Sequence, residues 1–90
     1  MINIINFAKG LLIHNGRRIP VKGLYNGHIE RISFQIIPEQ GKWGAKIEAG
    51  EKVYLQQIDN GNIAPEIEFV MPTTINIADS KEINLDKAAE

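Results

Sequence analysis

Polar and apolar residues alternate with a period of two along most of this chain. In 31–36 (RISFQI), Ile32, Phe34 and Ile36 fall on one face and Arg31, Ser33 and Gln35 on the other. In 42–49 (KWGAKIEA) the apolar face is Trp43, Ala45, Ile47 and Ala49, and in 66–71 (EIEFVM) it is Ile67, Phe69 and Met71. Successive side chains of a strand point to opposite sides of the pleat, so each stretch predicts a strand with one buried face. Residues 52–58 (KVYLQQI) are apolar on both sides near their middle and predict a central strand. Two shorter alternating stretches, 2–7 (INIINF) and 73–78 (TTINIA), read as strands able to pair between molecules.

Turn signals punctuate the strands at short intervals. Three Asn-Gly pairs occur, at 15–16, 26–27 and 60–61, and Asn-Gly favours two-residue type I′ hairpins because both central residues need positive φ. If 15–16 and 26–27 are both such turns, Arg17 bonds back to the first strand and Tyr25 forward to the third. Positions 17 and 25 differ by eight, an even number, and in a regular strand they would face the same neighbour. The conflict predicts a break between them, at Pro20 or Gly23, so that 19–23 (IPVKG) is a kinked edge. The same register sets Lys22 across from Arg31, a like-charge pair.

The pattern predicts an all-β fold: a small barrel or two-sheet sandwich of six to eight short antiparallel strands. Residues 1–78 form a single β domain, and 79–90 read as a C-terminal tail open to three forms: short helix, last strand or frayed end. Asp79 and Glu82 resemble a capping box, whereas Ile83 and Leu85 alternate. The expected core is Ile4, Phe7, Leu12, Ile19, Val21, Ile32, Phe34, Ile36, Trp43, Ile47, Val53, Leu55, Ile67, Phe69 and Ile75.

Length and charge narrow the picture further. Ninety residues make one domain. The absence of cysteine excludes disulfides and thiolate metal sites and fits a reducing compartment. The N-terminal residues lack the form of a secretory leader, and no apolar run approaches a membrane span, so a cytoplasmic setting without membrane contact is expected. Net charge is −1, but residues 1–50 carry seven cations against three anions and 51–90 carry three against eight. The halves therefore either neutralise one another or leave a basic face for an anionic partner.

Candidate chemistry is sparse. His14 and His28 lack the spacing and acidic companion of a zinc motif. Ser33 falls inside an alternating strand rather than on a nucleophile turn. Glu66 and Glu68 share one strand face and read as solvated carboxylates. No catalytic residue, metal or cofactor is expected. The expected function is a non-enzymatic protein-binding module acting by surface contact and associating with itself, through a basic rim of Arg17, Arg18, Lys22, Tyr25, His28 and Arg31. The alternative is a small barrel binding single-stranded nucleic acid, with bases stacked on aromatics beside the cations.

Overall fold

The computed structural model describes residues 3–39, 46–77 and 81–88, with backbone only at Asn3, Ile4, Ala8 and Ala88. Nine strands are formed by these residues: β1 (Asn3–His14), β2 (Arg17–His28), β3 (Arg31–Pro38), β4 (Lys46–Ile47), β5 (Lys52–Asp59), β6 (Asn62–Ile63), β7 (Ile67–Val70), β8 (Ile75–Asn76) and β9 (Ile83–Ala88). Six are four residues or longer, and three are two-residue pieces. The large antiparallel sheet runs β6-β5-β1-β2-β3-β9, with β7 also on β5, and β4 pairs β8 in a second sheet. The expected all-β fold is therefore present as a small sandwich rather than a closed barrel.

The inner face of the large sheet carries Leu12, Ile19, Val21, Phe34, Ile36, Val53, Leu55 and Phe69, all buried. Ile47 of β4, Ile77 just after β8 and Met71 just after β7 complete the same buried cluster. The sheet curls enough for the rings of Phe34 on β3 and Phe69 on β7 to meet edge to face, with centroids 5.4 Å apart. Ten of the expected core residues are buried, and Ile32, Ile67 and Ile75 pack partly buried against them. The side chain of Ile4 and all of Trp43 lie outside the described residues.

The tail resolves in favour of a strand. Ile83 and Leu85 are fully enclosed opposite Ile36 and Phe34 of β3. Helix and frayed end are therefore both incorrect for 83–88; Asp79 lies outside the described residues.

Two hairpins form where Asn-Gly places them. Asn15 and Gly16 have φ of 49° and 78°, and Asn60 and Gly61 have 47° and 84°, the paired positive values of type I′ turns. The third expectation is overturned. Asn26 and Gly27 lie within β2, and the β2–β3 turn is Ile29-Glu30, closed by His28 opposite Arg31. Arg17 and His28 are eleven apart, an odd number, so they face opposite neighbours and no break is required.

Accordingly β2 is not kinked at 19–23: its register with β3 is unbroken from Val21 to His28. Pro20 is tolerated because it stands just beyond that ladder, where its carbonyl accepts the N–H of Glu39 at 2.8 Å. The one register shift lies instead in β1, between Phe7 and Gly10. Gly23 marks close backbone approach, since a Cβ there would stand 1.9 Å from the Gln35 carbonyl oxygen. Lys22 faces Ile37 rather than Arg31, so the expected cation clash does not arise.

Candidate interaction surfaces

The straight course of β2 decides where the basic residues go. Arg17 and Arg18 sit at one end of the strand and His28 at the other, with Arg31 across the turn. Eleven residues at about 3.3 Å each put the two ends up to roughly 36 Å apart along the strand. The six residues therefore do not form one continuous rim. Tyr25 is on the inner face, its ring 4.9 Å from that of Phe34, and it lies against Gly27, where a Cβ would be 2.4 Å from the hydroxyl.

At the β2–β3 turn, Asn26, His28, Arg31, Ser33 and Asp86 line a shallow cleft of about 390 Å³. The Arg31 guanidinium is paired with Asp86, with both side chains largely exposed. The His28 Nδ1 accepts the N–H of Glu30 at 3.4 Å. Serine, histidine and aspartate thus share a cleft, in which the aspartate is paired with Arg31.

At the opposite end His14 is buried on the inner face, and its Nε2 lies 3.2 Å from Oε1 of Glu51. Among the described residues Nε2 makes no hydrogen bond, so the contact is one of proximity. The Glu51 carboxylate also accepts the backbone N–H of Glu48 at 2.7 Å, fastening the turn before β5. The Glu48 N–H first, and His14 beside it, hold the Glu51 carboxyl below the ordinary glutamate range. This cluster staples the sheet end to the 48–51 turn.

On β7, Glu68 accepts from the Tyr54 hydroxyl at 3.3 Å and stands 4.0 Å from Lys52. Glu66 precedes the strand and is exposed. The two carboxylates have different surroundings, one tied to neighbours and one in solvent.

The surface that periodicity alone does not reveal is the outer face of β1, β2 and β3. Leu11, Ile13, Pro20 and Leu24 are half-buried there and Ile37 is 38% exposed. Three exposed cations stand among them, each directly opposite an aliphatic residue: Lys9 across from Ile58, Arg18 from Ile13, Lys22 from Ile37. None of the three forms an ion pair among the described residues. The available signal was that Leu11, Leu12 and Ile13 are consecutive, so β1 has to be apolar on both faces. No family model, curated protein or solved structure matches this chain.

Among the described residues no helix is long and apolar enough to cross a membrane.

Proposed function

We propose that this domain works by surface contact, as a non-enzymatic protein-binding module that also associates with itself. The observation that carries the reading is the outer face of β1–β3, where Lys9, Arg18 and Lys22 each stand opposite an aliphatic residue and have no anionic partner among the described residues. Aliphatic side chains covered by the stems of long cations form a surface that is part apolar and part positive. It suits a protein with an apolar centre and an acidic border, since charge complementarity steers the encounter and apolar burial holds it. A cytoplasmic setting fits a chain without cysteine.

A protein target is favoured over single-stranded nucleic acid by the placement of the aromatics. Phe34 is buried and Tyr25 is turned inward on Phe34; among the described aromatics Tyr54 alone lies on the outer face, opposite Ile13, with its hydroxyl bonded to Glu68. Base stacking needs an aromatic face beside the cations.

The test compares the wild-type chain with a variant carrying Lys9→Ala, Arg18→Ala and Lys22→Ala together. All three side chains are exposed, so each change should cost under about 0.5 kcal/mol of stability. The wild type should retain a discrete protein from native extract at low salt and the variant should lose it, while a Lys52→Ala control retains it. Equal retention by all three chains contradicts the reading. So does single-strand binding whose log affinity falls against log salt with a slope near about −2, as three neutralised phosphates would give.

A further inference from the structure

The first half of β1 presents an open strand edge. β1 pairs β2 from Asn3 to Phe7 and again from Gly10 to His14, but meets β5 only from Lys9 to Ile13. Because β5 ends at Asp59 and turns back at 60–61, residues 3–7 have no partner on that side among the described residues. A cleft of about 540 Å³ adjoins this edge, lined by Ile5, Asn6, Phe7 and Lys9 and by residues 57–61, the end of β5 and its turn.

Open edges usually carry a device that prevents pairing, such as charge, proline, brevity or a bulge; the irregularity of β1 lies past the end of this segment, between Phe7 and Gly10. The other edges of the sheet carry such a device. β9 carries Asp86 and Lys87, β7 carries Glu68 with Pro65 and Glu66 just before it, and β6 is two residues long. Residues 2–8 of the chain contain no charge, proline or glycine, and Ile5 in their midst is 54% exposed.

The ladder fixes which groups face outward. The two-residue turn at 15–16 makes His14 and Arg17 a hydrogen-bonded pair, so alternate residues of β2 from Arg17 to Gly27 address β1. Asn3, Ile5 and Phe7, opposite Gly27, Tyr25 and Gly23, therefore direct their backbone groups at β2. Ile4 and Asn6 direct theirs at the open edge.

We propose that this edge is a self-association site, at which a second copy of the chain adds its own β1 antiparallel about a two-fold axis through Ile5. The proposal deepens the contact reading above and rests on its self-associating part. In this register Ile4 of one copy bonds with Asn6 of the other, twice over, giving about four backbone hydrogen bonds. The two Ile5 residues form the central non-hydrogen-bonded pair, with Cα atoms about 4.5 Å apart, and cover each other's exposed side chains. No charge opposes a like charge, because the segment has none.

The experiment uses the full chain and exploits its lack of cysteine. Ile5→Cys supplies the only thiol of the variant at the proposed axis, and a Cα separation of about 4.5 Å permits a disulfide. Mild oxidation should convert it to covalent dimer at least about 10-fold more completely than Ile63→Cys, although Ile63 is the more exposed at 65%. Sedimentation of the wild type from about 1 µM to about 1 mM should show a reversible monomer–dimer equilibrium. Asn6→Pro should abolish that equilibrium with unchanged far-ultraviolet dichroism, because the N–H it removes faces outward. A wild type monomeric throughout, equal crosslinking from both cysteines, or full dimerisation of Asn6→Pro would overturn the proposal. The outer-face triple variant reads partner capture independently, so that loss of self-association and loss of the contact reading are told apart.

Discussion

Replacing Leu85 by alanine tests whether the last strand is part of the core. Leu85 has no exposed surface and stands across from Phe34, which itself touches the rings of Phe7, Tyr25 and Phe69. Truncating a buried leucine removes transfer free energy and leaves a cavity, at a cost of about 2–5 kcal/mol. The upper part of that range applies here, because the cavity would open beneath an aromatic cluster held on several sides. A domain of 90 residues is stable by about 5–13 kcal/mol, at roughly 0.05–0.15 kcal/mol per residue. Leu85→Ala therefore removes a large share of the total, and should lower the melting temperature by about 4–8 °C per kcal/mol. Urea unfolding followed by Trp43 fluorescence and by far-ultraviolet dichroism measures the loss, with Asn84→Ala as the exposed neighbour on the other face. Asn84→Ala should cost under about 0.5 kcal/mol. If the two variants unfold at the same urea concentration, the strand does not contribute its alternate side chains to the core and the sandwich described above is wrong.

Two further outcomes follow from local geometry. Gly23→Ala should cost more than Gly16→Ala in the same unfolding assay. At Gly23 a Cβ meets the Gln35 backbone at 1.9 Å, whereas at Gly16 the space is open and only the φ of +78° is unfavourable, worth about 1–2 kcal/mol; the reverse order contradicts the β2–β3 register. Glu51 gives a pH dependence of definite sign. Its folded-state carboxyl titrates below its unfolded value, so its contribution is fully present above the ordinary glutamate range and is lost as pH falls through the folded value. The stability gap between wild type and Glu51→Gln should narrow on acidification from about pH 7 to about pH 3, and a gap that widens refutes the assignment.

Much of this architecture was legible in the sequence because its strongest signals are local. Alternation in 31–36 and 66–71 requires only that one face be buried, and β3 and β7 follow it. Asn15-Gly16 and Asn60-Gly61 turn where their backbone preference places them. The failure at Asn26-Gly27 shows the limit of that preference. There the register is set by long-range packing, with Tyr25 on Phe34 and Gly23 under the β3 backbone, and Gly27 is glycine to admit a ring rather than to adopt positive φ. One misplaced turn then propagated, since it demanded a kink in β2 and gathered distant cations into a rim. Ile83 and Leu85 were ambiguous because two alternating residues amid polar neighbours are too few to separate strand from fraying. The outer face was obscured for a related reason: Leu11 and Ile13 share a run with buried Leu12, and a burial signal on both faces hides which one is left for contact.

The central claim is that the domain acts through the outer face of β1–β3. Its most direct test is photo-crosslinking in the source cell from a benzophenone side chain placed at Leu24, with the same probe at Glu66 as the comparison. Leu24 lies half-buried on that face and Glu66 is exposed before β7. The account predicts adducts to a discrete protein from position 24 and none from position 66. Adducts of equal yield from both positions, or adducts from position 24 that are nucleic acid, would contradict it.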